Sequence, residues 1–248
     1  REAVANLVQR LRRELENQAD VQRISEIVRY HNRFVLYTWL MQALRTSLRA
    51  VAAPVELLDA VERTSLALNG STLPPAIYTA ISDKSGGFED RARLIELEGD
   101  LLQQLSNFRA HAAVVVARLD LFAEWSLGTS AVQRLFALDD NAKPIAVTPT
   151  WVEDKLAQLG FPAPANFSRG FLRTELLMAG CPGQSIDAFL GHFGLGENPA
   201  SRYASLDWSQ HLAVIRHYVH AVMHGFDLTQ VRSQLIPAAY EPGRAPWR

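Results

Sequence analysis

Three residue types that can act on a phosphate group follow one another in the second half of this sequence. Arg173 lies in Phe-Leu-Arg-Thr-Glu-Leu-Leu, His192 ends a Leu-Gly-His segment, and Tyr203 follows in Ser-Arg-Tyr-Ala. A guanidinium group binds two phosphate oxygens in fixed geometry, and an imidazole can donate a further hydrogen bond. A tyrosine hydroxyl can attack phosphorus and form a covalent intermediate. These residues in this order indicate phosphoryl-transfer chemistry.

The same stretch resembles the carboxy-terminal signature of the tyrosine recombinases, also called phage-type integrases. The matching strings are Phe-Leu-Arg-Thr-Glu-Leu-Leu-Met-Ala-Gly, Ile-Asp-Ala-Phe-Leu-Gly-His and Arg-Tyr-Ala. Upstream, Thr46-Ser-Leu-Arg49 is similar to the family's Thr-Gly-x-Arg segment, which holds its first catalytic arginine. Ile81-Ser-Asp-Lys84, followed by Arg93-Leu-Ile-Glu-Leu, resembles the hairpin that presents its catalytic lysine. The likeness covers residues 35 to 205.

The resemblance implies site-specific cleavage and rejoining of double-stranded DNA, as in integration or excision of a mobile element, through a covalent 3′-phosphotyrosine intermediate. Arg49 and Arg173 would bind the non-bridging phosphate oxygens, and His192 would support the developing charge. Tyr203 would be the nucleophile, and Lys84 would protonate the departing 5′ oxygen as general acid. The family uses no metal or nucleotide cofactor, and its members assemble as homo-tetramers on paired DNA sites.

The sequence departs from the family pattern at several positions. The position three before Arg173, where the family usually carries histidine, is Gly170, which can neither orient a phosphate nor exchange a proton. Ala52 replaces an acidic residue three after the first arginine, and Ser47 replaces a glycine. Arg169 could partly compensate by reaching toward the phosphate. Two interpretations stay open: a recombinase impaired at Gly170, and a catalytically silent DNA-binding or regulatory homologue.

Each candidate side chain also has an interpretation without chemistry. Arg49 lies one helical turn after Arg45, so both could be solvated or ion-paired surface groups. Arg173 could pair with Glu175 or Asp187. Lys84 could be an exposed turn residue. His192 could be a helix-terminal residue, and Tyr203 could be a packing residue. A third interpretation of the whole chain is a helical interaction protein whose motif matches arise by chance.

The sequence gives weaker evidence for other kinds of functional site. His217, His220 and His224 share one helical face, but the outer two lie about 10 Å apart along the axis, so one ion could take only a pair of them. No cysteine or acidic cluster completes a metal site there. Tyr218 is the alternative nucleophile, but it lies inside a strongly helical run. The sequence contains no Gly-x-Ser-x-Gly, P-loop or paired-cysteine zinc pattern.

Composition sets broad bounds on the protein. The 248 residues are 48% hydrophobic and 21% charged, enough for one large core or two modest domains. The formal net charge of -1 gives no global cationic field, so any DNA-binding surface must be a local patch. A single cysteine, Cys181, fits a reducing compartment. No apolar run reaches the roughly 20 residues that span a bilayer, and we expect a protein of the bacterial cytoplasm or nucleoid.

Periodicity predicts a mainly helical α+β fold like the tyrosine recombinase catalytic core, with a small antiparallel β-sheet near residues 76 to 97. Leu7, Leu11 and Leu15 predict a first helix. Further helices are expected over 23–49, 55–68, 98–125, from Thr148 or Thr150, and over 171–179, 185–191 and 209–224, with a short piece near Tyr203. An extended piece is expected at 135–147 and a loop at 162–166.

No internal repeat or low-complexity linker divides the chain, so we predict three regions. Residues 1–20 would be a helical lead-in or the end of a missing amino-terminal DNA-binding domain. Residues 21–205 would form the recombinase-like catalytic domain. Residues 206–248 would be a carboxy-terminal helical tail that could contact another protomer.

Overall fold

A computed structural model describes residues 1–18, 21–50, 77–81, 93–97, 99–121, 135–192 and 208–236. Its helices are α1 (Glu2–Glu16), α2 (Ile24–Thr46), α3 (Gly99–Leu119), α4 (Pro149–Gln158), α5 (Phe167–Met178), α6 (Gly183–Leu190) and α7 (Trp208–His224). Its strands are β1 (Ile77–Ile81), β2 (Arg93–Leu97), β3 (Phe136–Leu138) and β4 (Pro144–Ala146). The predicted mainly helical α+β class is confirmed at this level.

Helix α2 forms the centre of the core. It is apolar on nearly every side, and every residue from Phe34 to Thr46 is buried, including Trp39 and Tyr37. A helix that is hydrophobic all round is stable only where other elements cover it on all sides. Helices α1, α3 and α5 and strand β3 supply that cover. Leu7, Leu11 and Leu15 of α1 point into the same core, as their spacing predicts.

Two antiparallel hairpins complete the described architecture. Strands β1 and β2 pair with Ile77 opposite Leu97 and Ile81 opposite Arg93, so the predicted hairpin is confirmed. The extended piece expected at 135–147 is itself a hairpin, in which Phe136 lies opposite Ala146. Asp139 forms its turn, because one carboxylate oxygen accepts hydrogen bonds from the amides of Asn141 and Lys143, at 2.9 and 2.8 Å.

The helix ends agree with the sequence where a side chain or proline marks them. Thr148 is the N-cap of α4, and its hydroxyl oxygen accepts a hydrogen bond from the Trp151 amide at 3.2 Å. Three bounds were wrong, one of them the end of α3, which lies at Leu119 rather than near residue 125. Helix α2 ends at Thr46 rather than at Arg49, because Ser47 takes a left-handed conformation with φ 54°. Helix α5 begins at Phe167, four residues before the expected start.

The chain after α7 returns along α2 and α3. Leu228, Val231 and Leu235 are buried in the common core. The Gln104 side chain accepts a hydrogen bond from the Val231 amide at 2.8 Å and donates one to the Thr38 hydroxyl at 2.9 Å. The described parts of the predicted lead-in and tail therefore both pack on the same core as α2.

No helix within the described ranges is long and apolar enough to cross a bilayer. The helix expected over 55–68 and the short piece near Tyr203 lie outside the described residues.

Candidate functional site

The end of α2 turns the chain toward α5. Ser47 is the C-cap residue, with φ 54° and ψ 30°, and its amide bonds the Ala43 carbonyl at 3.1 Å. Glycine adopts this left-handed conformation most easily, and glycine is what the recombinase pattern has at this position. The Thr46 hydroxyl donates to the Gln42 carbonyl at 2.6 Å. Half-buried Arg49 therefore lies outside the helix, two residues beyond the turn.

Arg45, by contrast, is no surface group. Its side chain is buried, bonds the Leu228 carbonyl at 2.6 Å and pairs with Asp100 at 3.0 Å. Its contacts hold the returning chain against α2. Arg45 and Arg49 do not lie one turn apart on a helix, as the sequence predicted, because α2 ends at the left-handed turn at Ser47 between them.

The Leu-Gly-His segment is the end of α6. Gly191 is left-handed with φ 67°, and the His192 amide bonds the Asp187 carbonyl at 2.8 Å. This is the Schellman arrangement, in which a glycine after the helix lets the chain reverse while the last carbonyls stay satisfied. It places the exposed His192 just past the helix end. Glycine before histidine is thus a geometric requirement of this turn.

Arg169 of α5 joins these two turns. Its Nη1 donates to the Ser47 carbonyl at 2.7 Å, and its Nη2 donates to the Leu190 carbonyl. Nη2 also lies 3.2 Å from His192 Nε2. A guanidinium group can only donate hydrogen bonds, so Nε2 must be the acceptor and the neutral imidazole carries its proton on Nδ1. Arg169 is buried, so its position is set before any ligand arrives.

Asn166 makes a second connection between α5 and the end of α2. It is the N-cap residue of α5, and its Oδ1 accepts a hydrogen bond from the Ala50 amide at 3.0 Å. The segment 47–50, which carries Arg49, is therefore held at both ends by α5. We call Asn166, Arg169, His192 and the segment 47–50 the Arg169 cluster.

The structure does not bring Arg173 into this cluster. Its Nη1 pairs with Asp187 Oδ1 at 2.6 Å, and its side chain is 45% exposed. This is the ion pair that the sequence left open as an alternative, and it ties α5 to α6 on the surface. The side chain that contacts His192 is that of Arg169. A catalytic role for Arg173 stays a prediction, and the contact with His192 belongs to the arginine one turn earlier.

Gly170 also lies away from the cluster. It is exposed, and a Cβ atom built on it would meet no atom within 4 Å. The buried residues Leu172 and Leu176 define the inner face of α5. At about 100° per residue, Gly170 falls on nearly the opposite face. A histidine at this position would point into solvent.

Helical periodicity was the signal that could have identified Arg169. Leu172 and Leu176 follow it at i+3 and i+7, which puts Arg169 at the edge of the apolar stripe. Arg173 lies about 40° farther from that stripe, which explains its exposure. The string that resembles the family, by contrast, is centred on Arg173.

The other candidates divide into two groups. Lys84, Tyr203 and Ala52 lie outside the described residues. Three of the four histidines of α7, the candidates His217, His220 and His224, are all exposed, whereas His211 is buried. Among the described residues, no group of three or more His, Cys, Asp or Glu side chains is arranged to hold a metal ion.

Comparison with known proteins adds no relative. No protein-family model matches this chain, and no curated protein or solved structure matches it.

Proposed function

We propose that this chain is a tyrosine recombinase, which cleaves and rejoins double-stranded DNA through a covalent phosphotyrosine. The observation that carries the proposal is the Arg169 bridge. It joins the Thr46-Ser-Leu-Arg49 turn to the Leu-Gly-His turn, which are more than 140 positions apart in the sequence. Both turns were singled out from the sequence because they resemble phosphate-binding segments of one family.

In this proposal Arg169 takes the role first assigned to Arg173. The second arginine must lie beside His192 and the first arginine's segment, and Arg169 contacts both. Arg49, Arg169 and His192 would then surround the phosphate and stabilise negative charge on its non-bridging oxygens. Because the contacts of Arg169 are already formed, little reorganisation would be needed when DNA binds.

If Arg169 is the second arginine, the position that corresponds to the family's histidine also changes. Three positions before Arg169 is Asn166, not Gly170. An amide has two N–H donors on Nδ2, so it can hydrogen-bond a phosphate oxygen while Oδ1 holds the Ala50 amide. It has no titratable proton and cannot act as acid or base. Asn166 would therefore orient the phosphate without exchanging protons with the nucleophile.

The remaining steps are assigned to residues outside the described ranges. The Tyr203 hydroxyl would release its proton to water as its oxygen attacks phosphorus, forming the phosphotyrosine bond as the bond to the 5′ oxygen breaks. Lys84 would give that oxygen its proton. Attack by a 5′ hydroxyl then reverses the step, so rejoining needs no ATP. Lys84 falls in the connection between the paired strands β1 and β2, and Ile95 of β2 borders a small cavity with Phe189 of α6.

A pool of nicked DNA duplexes with randomised sequence around the nick tests the proposal. Cleavage near a nick releases a short fragment, so the covalent complex cannot be reversed and accumulates. We expect a complex stable in denaturing gels with the wild-type chain and none with Tyr203→Phe, while both proteins bind DNA equally. Sequencing of the trapped DNA then identifies the target.

One observation favours a second candidate, a catalytically silent DNA-binding homologue. Asn166 leaves the Arg169 cluster without a proton-exchanging group at that position. Such a protein would bind duplex DNA with an affinity that falls steeply with salt. It would give no covalent complex with any duplex of the pool, and that result would reject the enzyme.

A further inference from the structure

A cavity separate from the Arg169 cluster lies between α1, α2 and α4. Its volume is about 350 Å³, within the range of small-molecule sites. It is bordered by the amino-terminal half of α2 and the carboxy-terminal end of α4. No member of the Arg169 cluster lines it.

Positive charge is concentrated in this cavity. Its wall carries Arg10, Arg29, Arg33 and Lys155 against one carboxylate, Asp140. Such an excess is not expected from the composition, because the chain has 25 basic and 26 acidic residues. A concave site with a single sign of charge focuses the electric field and attracts an oppositely charged ligand.

The cations differ in how far the protein neutralises them. Glu14 contacts two of them, with Oε1 3.1 Å from Arg10 Nε and Oε2 2.9 Å from Arg33 Nε. Lys155 Nζ has a neutral partner, the Gln158 side-chain oxygen at 3.3 Å.

Arg29 is exposed, and it makes no hydrogen bond or ion pair with any residue in the described ranges. After Asp140 and Glu14 are counted, an excess of two positive charges remains at the cavity.

The remaining wall combines the polar residues Ser25, Asn32 and Gln158 with three apolar side chains. Val28 and Leu36 of α2 line it together with Leu159, whose carbonyl accepts a hydrogen bond from Arg10 Nη1 at 2.9 Å. A compact ligand could place an apolar body on these side chains and a dianionic group between the arginines, which bind phosphate oxygens in pairs.

We propose that this cavity is a binding site for a small organic phosphate, a dianionic phosphate group attached to an apolar body. The site is independent of the recombinase proposal, since it shares no residue with the Arg169 cluster. Arg29 would be its principal phosphate ligand, assisted by Arg33 and Lys155. The apolar contacts of Val28, Leu36 and Leu159 would set the preference for an organic phosphate over the bare ion.

Isothermal titration calorimetry with the full chain at pH 8 tests the site. The probes are phenyl phosphate, inorganic phosphate and phenol, which separate the charged and apolar parts of the ligand. We expect phenyl phosphate to bind more tightly than either of the others. Arg29→Gln should weaken its binding by about tenfold, because a charge-assisted hydrogen bond is lost. Lys155→Gln should weaken it by a smaller factor.

Arg13→Gln is the matched control, because Arg13 is also an exposed arginine but lies outside the cavity. It should leave the affinity for phenyl phosphate within twofold of wild type. Equal losses of phenyl phosphate affinity in the Arg13 and Arg29 variants would mean that the effect comes from net charge alone. That result would overturn the proposal. Equal affinities for phosphate and phenyl phosphate would also overturn it, as would displacement of phenyl phosphate by a short DNA duplex.

Discussion

Arg169 Nη2 lies 3.2 Å from His192 Nε2, and the same guanidinium group donates to the carbonyls of Ser47 and Leu190. One side chain therefore donates hydrogen bonds to a carbonyl at the end of α2, to the last carbonyl of α6 and to the second residue after α6. Arg173, on the next turn of α5, makes a surface ion pair instead. This difference gives the two arginines distinct roles in stability as well as in the proposed chemistry.

Substitutions of Arg169 and Arg173 should lower the free energy of unfolding by different amounts. Arg169→Met should lower the free energy of unfolding by about 2 to 4 kcal/mol, because buried carbonyls lose their donor. Arg173→Met should cost less than about 1 kcal/mol, as is usual for an exposed ion pair. Urea unfolding followed by circular dichroism measures both. Similar losses in the two variants would contradict the placement of Arg169 at the junction.

Alanine substitutions at two glycines should change the free energy of unfolding in opposite directions. Gly191→Ala should destabilise the protein by about 1 kcal/mol, because φ 67° is unfavourable for a residue with a Cβ atom. Gly170→Ala should stabilise it by about 0.5 to 1 kcal/mol, because the position is helical and open. Thermal and urea unfolding check both values. A destabilising Gly170→Ala would mean that this position is not the open helical site described above.

Stability should fall as the pH is lowered from about 6.5 to 4 because of a buried histidine relay. The Ser233 hydroxyl lies 2.8 Å from His111 Nδ1, His111 Nε2 lies 3.0 Å from His31 Nδ1, and His31 Nε2 lies 2.9 Å from the Phe136 carbonyl. The carbonyl can only accept, so His31 donates to it, His111 donates to His31, and Ser233 donates to His111. Both imidazoles are neutral in this arrangement.

Burial lowers the pKa of His31 to about 4 and lowers that of His111 as well, with a further contribution from His31. An unfolded chain takes up these protons at about pH 6.5. Between the two values the unfolded state binds more protons, so stability decreases as pH falls, by up to about 3 kcal/mol for His31. Urea unfolding at pH 7.5, 6.0 and 5.0 measures this slope.

His220→Gln is the control for the relay, because His220 is exposed. It should leave the pH slope unchanged, whereas His111→Gln should reduce it. Equal slopes for wild type and His111→Gln would show that the relay does not carry the pH dependence.

The position of the missing histidine can be tested on activity. If Arg169 is the second arginine, Asn166→His should increase formation of the covalent DNA complex, because it adds a proton-exchanging group beside the segment 47–50. Gly170→His should leave the yield unchanged, since its side chain would point into solvent. Gel quantification of covalent complex on the nicked duplex pool compares them. A gain for Gly170→His alone would restore Arg173 as the second arginine.

Local rules were enough to predict much of this fold. The leucine spacing of α1 and the pairing of β1 with β2 depend on residues close in the sequence, and both were expected; the N-cap at Thr148 is one of the two helix starts that the sequence left open. The Leu-Gly-His string was singled out from the sequence because of a family resemblance. Its geometric reason, a left-handed glycine that closes α6, became visible only in the structure.

Which arginine joins the cluster was decided by tertiary packing. The sequence predicted a helix over 171–179 and contains arginines four positions apart, at 169 and 173. Only the packing of α5 against α2 and α6 buried the first and left the second paired on the surface. The physical reason is that a buried carbonyl from a distant segment needs a donor, and no local pattern in α5 records where the Ser47 and Leu190 carbonyls will lie.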